Sequence, residues 1–182
     1  MNTFLTILFV LLVIVIILGV LYMYFYNKIN ETIIRVNEAE NRIDNNLRDK
    51  YDTLNKCVTL IKGNIELDDK AFNELAKLKA KKISNFDLDR VLVTSHNELL
   101  KVMEDNKELR DSDELYKSIR EIDEINEELD TLRKYYNENI SYYNKLIKRL
   151  PTLFIAKIKH YKEKLFYDMK DMSDEDYEDF KL

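Results

Sequence analysis

Two Tyr-Tyr-Asn triplets, at 135–137 and 142–144, lie one heptad apart in the stretch RKYYNENISYYNKLIKRLP, residues 133–151. On a helix this spacing puts Tyr136 and Tyr143 on one face, and Asn137 beside Asn144. A tyrosine offers a large apolar body with one hydroxyl, and an asparagine offers an amide that both donates and accepts. Repeated on adjacent heptads, such pairs are expected to pin helix register by buried hydrogen bonds. The alternative is a peptide- or lipid-binding groove.

Reactive chemistry has little to work with. His96 and His160 are the only histidines and fall on different expected helices. Cys57 is the single cysteine, which excludes an intrachain disulfide and suits a reducing compartment. Neither residue type has metal-ligand spacing. Glu121, Asp123, Glu124, Glu127 and Glu128 make a dense carboxylate run, yet the paired Glu-x-x-His helices of a di-metal bundle are missing. Beyond the N-terminal region Gly63 is the only glycine, so no phosphate-cradling loop exists. The Asn30-Glu31-Thr32 and Asn139-Ile140-Ser141 glycosylation patterns are chance matches in an Asn-rich segment. A net charge of −5 argues against a nucleic-acid partner. The expectation is a non-enzyme with no catalytic, cofactor-binding or metal residues, no cofactor and no small-molecule substrate.

The elements that position these residues begin with a membrane anchor. Residues 1–27 carry no charged side chain, and residues 4–24 read FLTILFVLLVIVIILGVLYMY. At a rise of about 1.5 Å per residue, a helix from Phe4 through Leu12 and Gly19 to Tyr24 spans the ~30 Å hydrocarbon core. Tyr22, Tyr24, Phe25 and Tyr26 supply the aromatic belt of an interface. A cleaved signal is disfavoured, because no basic start or small-residue cleavage pattern is present. Lys28, Arg35 and Arg42 follow the span, so the flanking charge puts the N-terminus outside and the remainder in the cytoplasm.

Residues 28–167 are expected to form an antiparallel bundle of about four long helices, because one glycine and one proline cannot supply the turns of a strand-rich fold. Apolar residues at Ile29, Ile33, Val36, Ile43, Leu47, Leu54, Val58, Ile61 and Ile65 mark one face of the first helix, with Glu40 and Lys50 as polar intruders. This stalk extends about 50 Å beyond the bilayer. Asp68 or Asp69 is expected to cap a second helix, interrupted at the capping box Ser84-Asn85-Phe86-Asp87. Residues 105–114 read as a polar connection. Ser112 or Asp113 caps a third helix whose stripe runs Ile119, Ile122, Ile125, Leu129, Leu132, Tyr136, Ile140, Tyr143, Ile147 and Leu150. Pro151 ends it. A fourth helix is expected from Thr152 to about Tyr167, followed by a disordered acidic tail over 168–182.

The Arg133, Tyr136-Asn137, Tyr143-Asn144 and Pro151 order resembles the LemA family of bacterial proteins. Tyr26-Asn27, Ala39, Ile43, Asp44, Leu47, Val58, Lys62, Gly63 and Phe166 extend the resemblance over most of the chain. One departure is Asn55 within Thr53-Leu54-Asn55-Lys56-Cys57-Val58, where the family typically has proline. The resemblance implies an N-terminally anchored antiparallel helical bundle and no established reaction.

The leading functional expectation is a single-pass scaffold or adaptor at the cytoplasmic face of a bacterial membrane, contacting lipid through its span and a protein partner through its coiled-coil-like bundle. Homo-oligomerisation is a further possibility. The alternative is a lipid-organising or membrane-remodelling role through a basic fourth helix bearing Lys157, Lys159, Lys162 and Lys164. With one helix leaving the membrane, the next returning and the third leaving again, that fourth helix would start at the far end of the bundle. Its lysines would then face solvent, as a patch for an acidic protein partner or for the chain's own acidic tail.

Overall fold

The computed structural model describes residues 3–65, 72–78, 84–110 and 112–167. The expected acidic tail, and the caps proposed at Asp68 and Asp69, lie outside these residues. Among the described residues the chain is all-α, with no strand: α1 (Thr3–Asn64), α2 (Asn73–Lys77), α3 (Asn85–Asp105), α4 (Lys107–Arg110), α5 (Asp113–Lys148) and α6 (Thr152–Ile158). α1 contains no proline and one interior glycine, Gly19, so nothing in its sequence forces a break between the apolar run and the charged run. At Asn55 the side-chain amide donates to the Tyr51 carbonyl at 2.9 Å and the helix continues.

The chain divides into two compact units, each drawing on α1 and α5. Unit 1 comprises Met1–Glu38 and Tyr136–Phe166, and unit 2 comprises Ala39–Tyr135 and Tyr167–Leu182.

In unit 2 the buried stripe of α1 is Ala39, Ile43, Leu47, Lys50, Leu54, Cys57 and Ile61. Ala39 takes the place expected of Glu40, which is exposed, and Cys57 lies deeper than Val58. α3 contributes Leu92, Leu99 and Met103, and α5 contributes Leu115, Ile122, Leu129 and Leu132. Ion pairs fix the directions. Lys56–Glu114 at 3.5 Å and Arg42–Glu128 at 2.7 Å make α5 antiparallel to α1. Asp89–Arg133 at 2.5 Å, with His96 in electrostatic reach of Asp123, makes α5 antiparallel to α3 as well. α3 therefore runs in the same sense as α1, which corrects the expected out–back–out order. A long connection, carrying α2, joins α1 to α3, and the preference for antiparallel neighbours holds for short ones.

The two expected caps that fall on described residues both form. Ser84 Oγ accepts from the Asp87 amide at 3.2 Å, and Ser112 Oγ from the Leu115 amide at 3.4 Å. The segment read as a polar connection instead contains α4, whose Leu109 is buried. One leucine in a charged decapeptide suffices to hold a helical turn against a core.

In unit 1, Ile29 of α1, Tyr143 and Ile147 of α5, and Ile155 and Ala156 of α6 form a buried cluster. Phe25, Tyr26, Ile33, Leu146 and Tyr161 pack around it. Side chains of residues 4–24 are exposed throughout, and this stretch is long and apolar enough to cross a bilayer.

Two expectations for this unit are corrected. The last helix does not begin far from the apolar run; it packs on residues that immediately follow it. It also stops at Ile158 instead of continuing to about Tyr167. His160 adopts φ 54°, the Tyr161 amide bonds the Ala156 carbonyl at 2.9 Å, and the His160 amide bonds the Lys157 carbonyl at 3.3 Å. This left-handed termination normally falls to glycine, and a histidine gives no sequence signal for it.

Candidate functional site

Unit 1 holds the non-helical residues 161–166 through side chains of α1 and α5. The Tyr161 hydroxyl donates to Asn30 Oδ1 at 3.2 Å, and the Tyr143 hydroxyl donates to the Lys162 carbonyl at 3.1 Å. Asn144 closes a reciprocal pair with the Lys164 backbone: its Nδ2 donates to the carbonyl at 2.8 Å, and its Oδ1 accepts from the amide at 3.0 Å. A non-helical chain leaves its backbone groups without helical partners, and these side chains supply some of them. The second Tyr-Asn pair thus grips this C-terminal strap. Burial raises the Tyr143 hydroxyl above the usual phenol value. Tyr136 and Asn137 are half-buried in the same unit.

The turn from α5 to α6 carries its own closure. Pro151 follows the helix, and the Leu150–Pro151 peptide is cis. The Thr152 hydroxyl reaches the Arg149 carbonyl at 2.8 Å and the Leu146 carbonyl, serving two of the last acceptors of α5. Leu150, expected to end the buried stripe, is exposed.

The four lysines of the expected interaction patch do not share a helix. Lys157 lies in α6, Lys159 caps it, and Lys162 and Lys164 lie in the strap. Lys157, Lys159 and Lys162 are exposed, with Lys159 Nζ 5.5 Å from the Tyr26 ring centroid. Lys164 is half-buried, and its Nζ donates to Asn37 Oδ1 at 3.4 Å. Lys28 Nζ lies 6.0 Å from the Tyr142 ring centroid, and the Tyr142 phenol holds that ammonium above the usual lysine value.

Unit 2 buries an ionic cluster that surrounds the motif arginine. Arg133, about nine-tenths buried, bonds Asp89 Oδ2 through Nη2 at 2.5 Å and Asp130 through Nη1 at 2.6 Å. Tyr167 donates to the same Asp89 oxygen at 3.0 Å and stacks on Phe86 with ring centroids 4.4 Å apart. Burial and the Asp89 charge push the Tyr167 hydroxyl far above its ordinary range. Lys50, 1% exposed, lies within electrostatic reach of this group, and burial lowers its ammonium below the usual value. Asp89 Oδ1 and Arg133 Nε are buried without hydrogen-bond partners among the described residues. Buried charge of this kind is held by its partners and is costly to uncouple. The cluster fastens α3, α5 and Tyr167.

Asp89 and Tyr167 escaped the sequence reading. A signal existed for Asp89, which lies one step of three before Leu92 on the α3 stripe. Lys50 was visible as an intruder, but its partners were not.

A model of the LemA family matches residues 39–178, a stretch that includes Arg133 and both Tyr-Asn pairs. The chain belongs to the LemA family. No curated protein matches it in sequence. LemA proteins are not known as an enzyme family. Among the described residues, no group of three or more His, Cys, Asp or Glu side chains could hold a metal ion. Unit 2 does present an open groove of about 390 Å³ between α1 and α5, lined by Asn46, Asp49, Asp52, Thr53, Glu121, Glu124, Ile125 and Glu128. Five carboxylates there make a surface complementary to cations.

Proposed function

We propose that this LemA-family chain is a non-catalytic scaffold, anchored in a bacterial membrane by the apolar part of α1 and presenting unit 2 to protein partners in the cytoplasm. The carrying observation is the continuity of α1. One unbroken helix supplies both the apolar segment and the frame on which the buried stripe of unit 2 is built. Lys28, Arg35 and Arg42 favour the cytoplasmic side for everything after the span. The acidic groove suits a partner whose contact surface is basic.

A photo-crosslinking residue placed at Glu124 of the full chain, in intact cells, tests this reading. A discrete protein adduct that disappears when Asp49→Lys and Glu121→Lys reverse the groove's charge is the expected result. Adducts confined to lipid, or to further copies of the same chain, overturn the adaptor role; the second outcome makes self-assembly the function.

A further inference from the structure

The α5–α6 elbow of unit 1 has two dissimilar faces. Its inner face, Ile155, Ala156 and Thr152, is buried, and the cluster it joins includes Ile29 with Phe25 and Tyr26 packed around it. Its outer face leaves Leu150, Phe154 and Ile158 exposed at 67%, 63% and 67%. Three large apolar side chains on so short a segment are an unusual surface for water to meet. Arg149, Lys157 and Lys159 are exposed beside them.

We propose that this elbow docks on the surface of the bilayer that holds α1. Leu150, Phe154 and Ile158 enter the boundary between headgroups and acyl chains, and Arg149, Lys157 and Lys159 bind anionic headgroup phosphates. The proposal rests on the reading that residues 4–24 span the membrane. Position supplies the occupant. From Tyr24, the last residue of the span, to Ile29, under α6, the helix rises about 7.5 Å. Each headgroup layer is about 5–8 Å thick. The elbow packs on α1 at that level. Tyr26, beneath Lys159, and Tyr161, whose phenol is raised by burial and by the phenols of Tyr26 and Tyr22, belong to the same aromatic belt. An apolar face flanked by cations is the composition that interfacial segments use on anionic membranes.

The chain contains no tryptophan, so one introduced indole reports from a single place. Full-length protein carrying Phe154→Trp, and separately Val10→Trp, is reconstituted into vesicles of phosphatidylcholine alone or mixed with phosphatidylglycerol, with brominated acyl chains as quencher. Ile158→Trp repeats the elbow measurement at a second exposed position. The expected result is blue-shifted, bromine-quenched emission at 10, 154 and 158, stronger at the elbow in the anionic vesicles. Replacing Lys157 and Lys159 by Gln is expected to lower the ratio of inserted to free elbow by roughly fivefold per lysine. Quenching at position 10 with water-like emission at 154 and 158 overturns the docking and leaves the span standing. No quenching at any position removes the span and the proposal with it. Blue-shifted but unquenched emission at the elbow means that protein covers it, as in contact with a second copy, and overturns the lipid assignment. Equal insertion in both vesicle types, unaffected by the lysine changes, overturns the headgroup contacts.

Discussion

Unit 1 and unit 2 secure neighbouring stretches of the C-terminal segment differently: unit 1 keeps its charges at the surface, and unit 2 buries them. In unit 1, the buried contacts to residues 161–166 are neutral, with Tyr143, Asn144 and Asn30 against two carbonyls, an amide and a phenol. Charge enters only at the surface, in the exposed Lys148–Glu163 pair at 2.8 Å and the Lys164 ammonium on Asn37. In unit 2, Tyr167 closes on a buried ion pair, Asp89–Arg133, with Lys50 nearby. Neutral hydrogen bonds contribute about 1 kcal/mol each and break singly. A buried ion pair contributes little net stability yet is severe to halve, because the survivor stays charged in a poor solvent. The first arrangement suits a segment that yields by degrees. The second suits a junction that is either intact or lost.

The largest effect should come from breaking the ionic cluster asymmetrically. Arg133→Met leaves Asp89 buried beside Tyr167 and should lower stability by about 3–5 kcal/mol. Hydrogen exchange would show this as lost protection at Ile43, Leu47 and Leu92, with Ile155 unchanged. Replacing Asp89 and Arg133 together by Leu and Met should recover most of the loss. If the double variant is as damaged as the single one, the charges are not the cause.

Next is the pH response of Cys57. Burial pushes its thiol up to about 11 from 9.0, despite the Ser118 hydroxyl nearby. The folded state therefore keeps this proton where the unfolded state loses it. The stability so conferred is complete below pH 9 and is lost as pH rises through the window to about 11. Its size is up to about 3 kcal/mol. Urea titrations across that window should slope less steeply for Cys57→Ala than for the parent; parallel slopes would reject the assignment.

A smaller change should follow in unit 1. Asn144→Leu removes both bonds to the Lys164 backbone and should cost roughly 2 kcal/mol, visible as faster exchange of the Lys164 amide. Asn137→Leu supplies the contrast, since it leaves that reciprocal pair in place and should not change this amide. Smallest is a gain: His160→Gly relieves a non-glycine residue at φ 54° and should stabilise the chain by about 1 kcal/mol. A loss in thermal unfolding would mean that the imidazole itself is needed.

Local rules made the helices legible. The two serine caps, the end of α5 before Pro151 and the apolar face of α1 follow from periodicity, propensity and side-chain hydrogen bonds within a few residues. The candidate site was legible only in part. Arg133, Tyr143 and Asn144 stood out as a pattern, but their partners Asp89, Lys162 and Lys164 are separated from them by long stretches of chain. The end of α6 was hidden for another reason: a left-handed histidine terminates it where glycine would have announced the stop.

Composition and spacing alone determined an all-α chain with an uncharged segment long enough for a bilayer, because hydrophobic period and turn content are written locally. Only the tertiary structure decided that α3 runs with α1, that Lys50 is buried near Asp89 and Arg133, and that α6 packs beside the apolar end of α1. Helix direction is a choice among packings that satisfy the same amphipathic stripe. Residues distant in sequence make that choice when their charges and hydrogen bonds have to find one another.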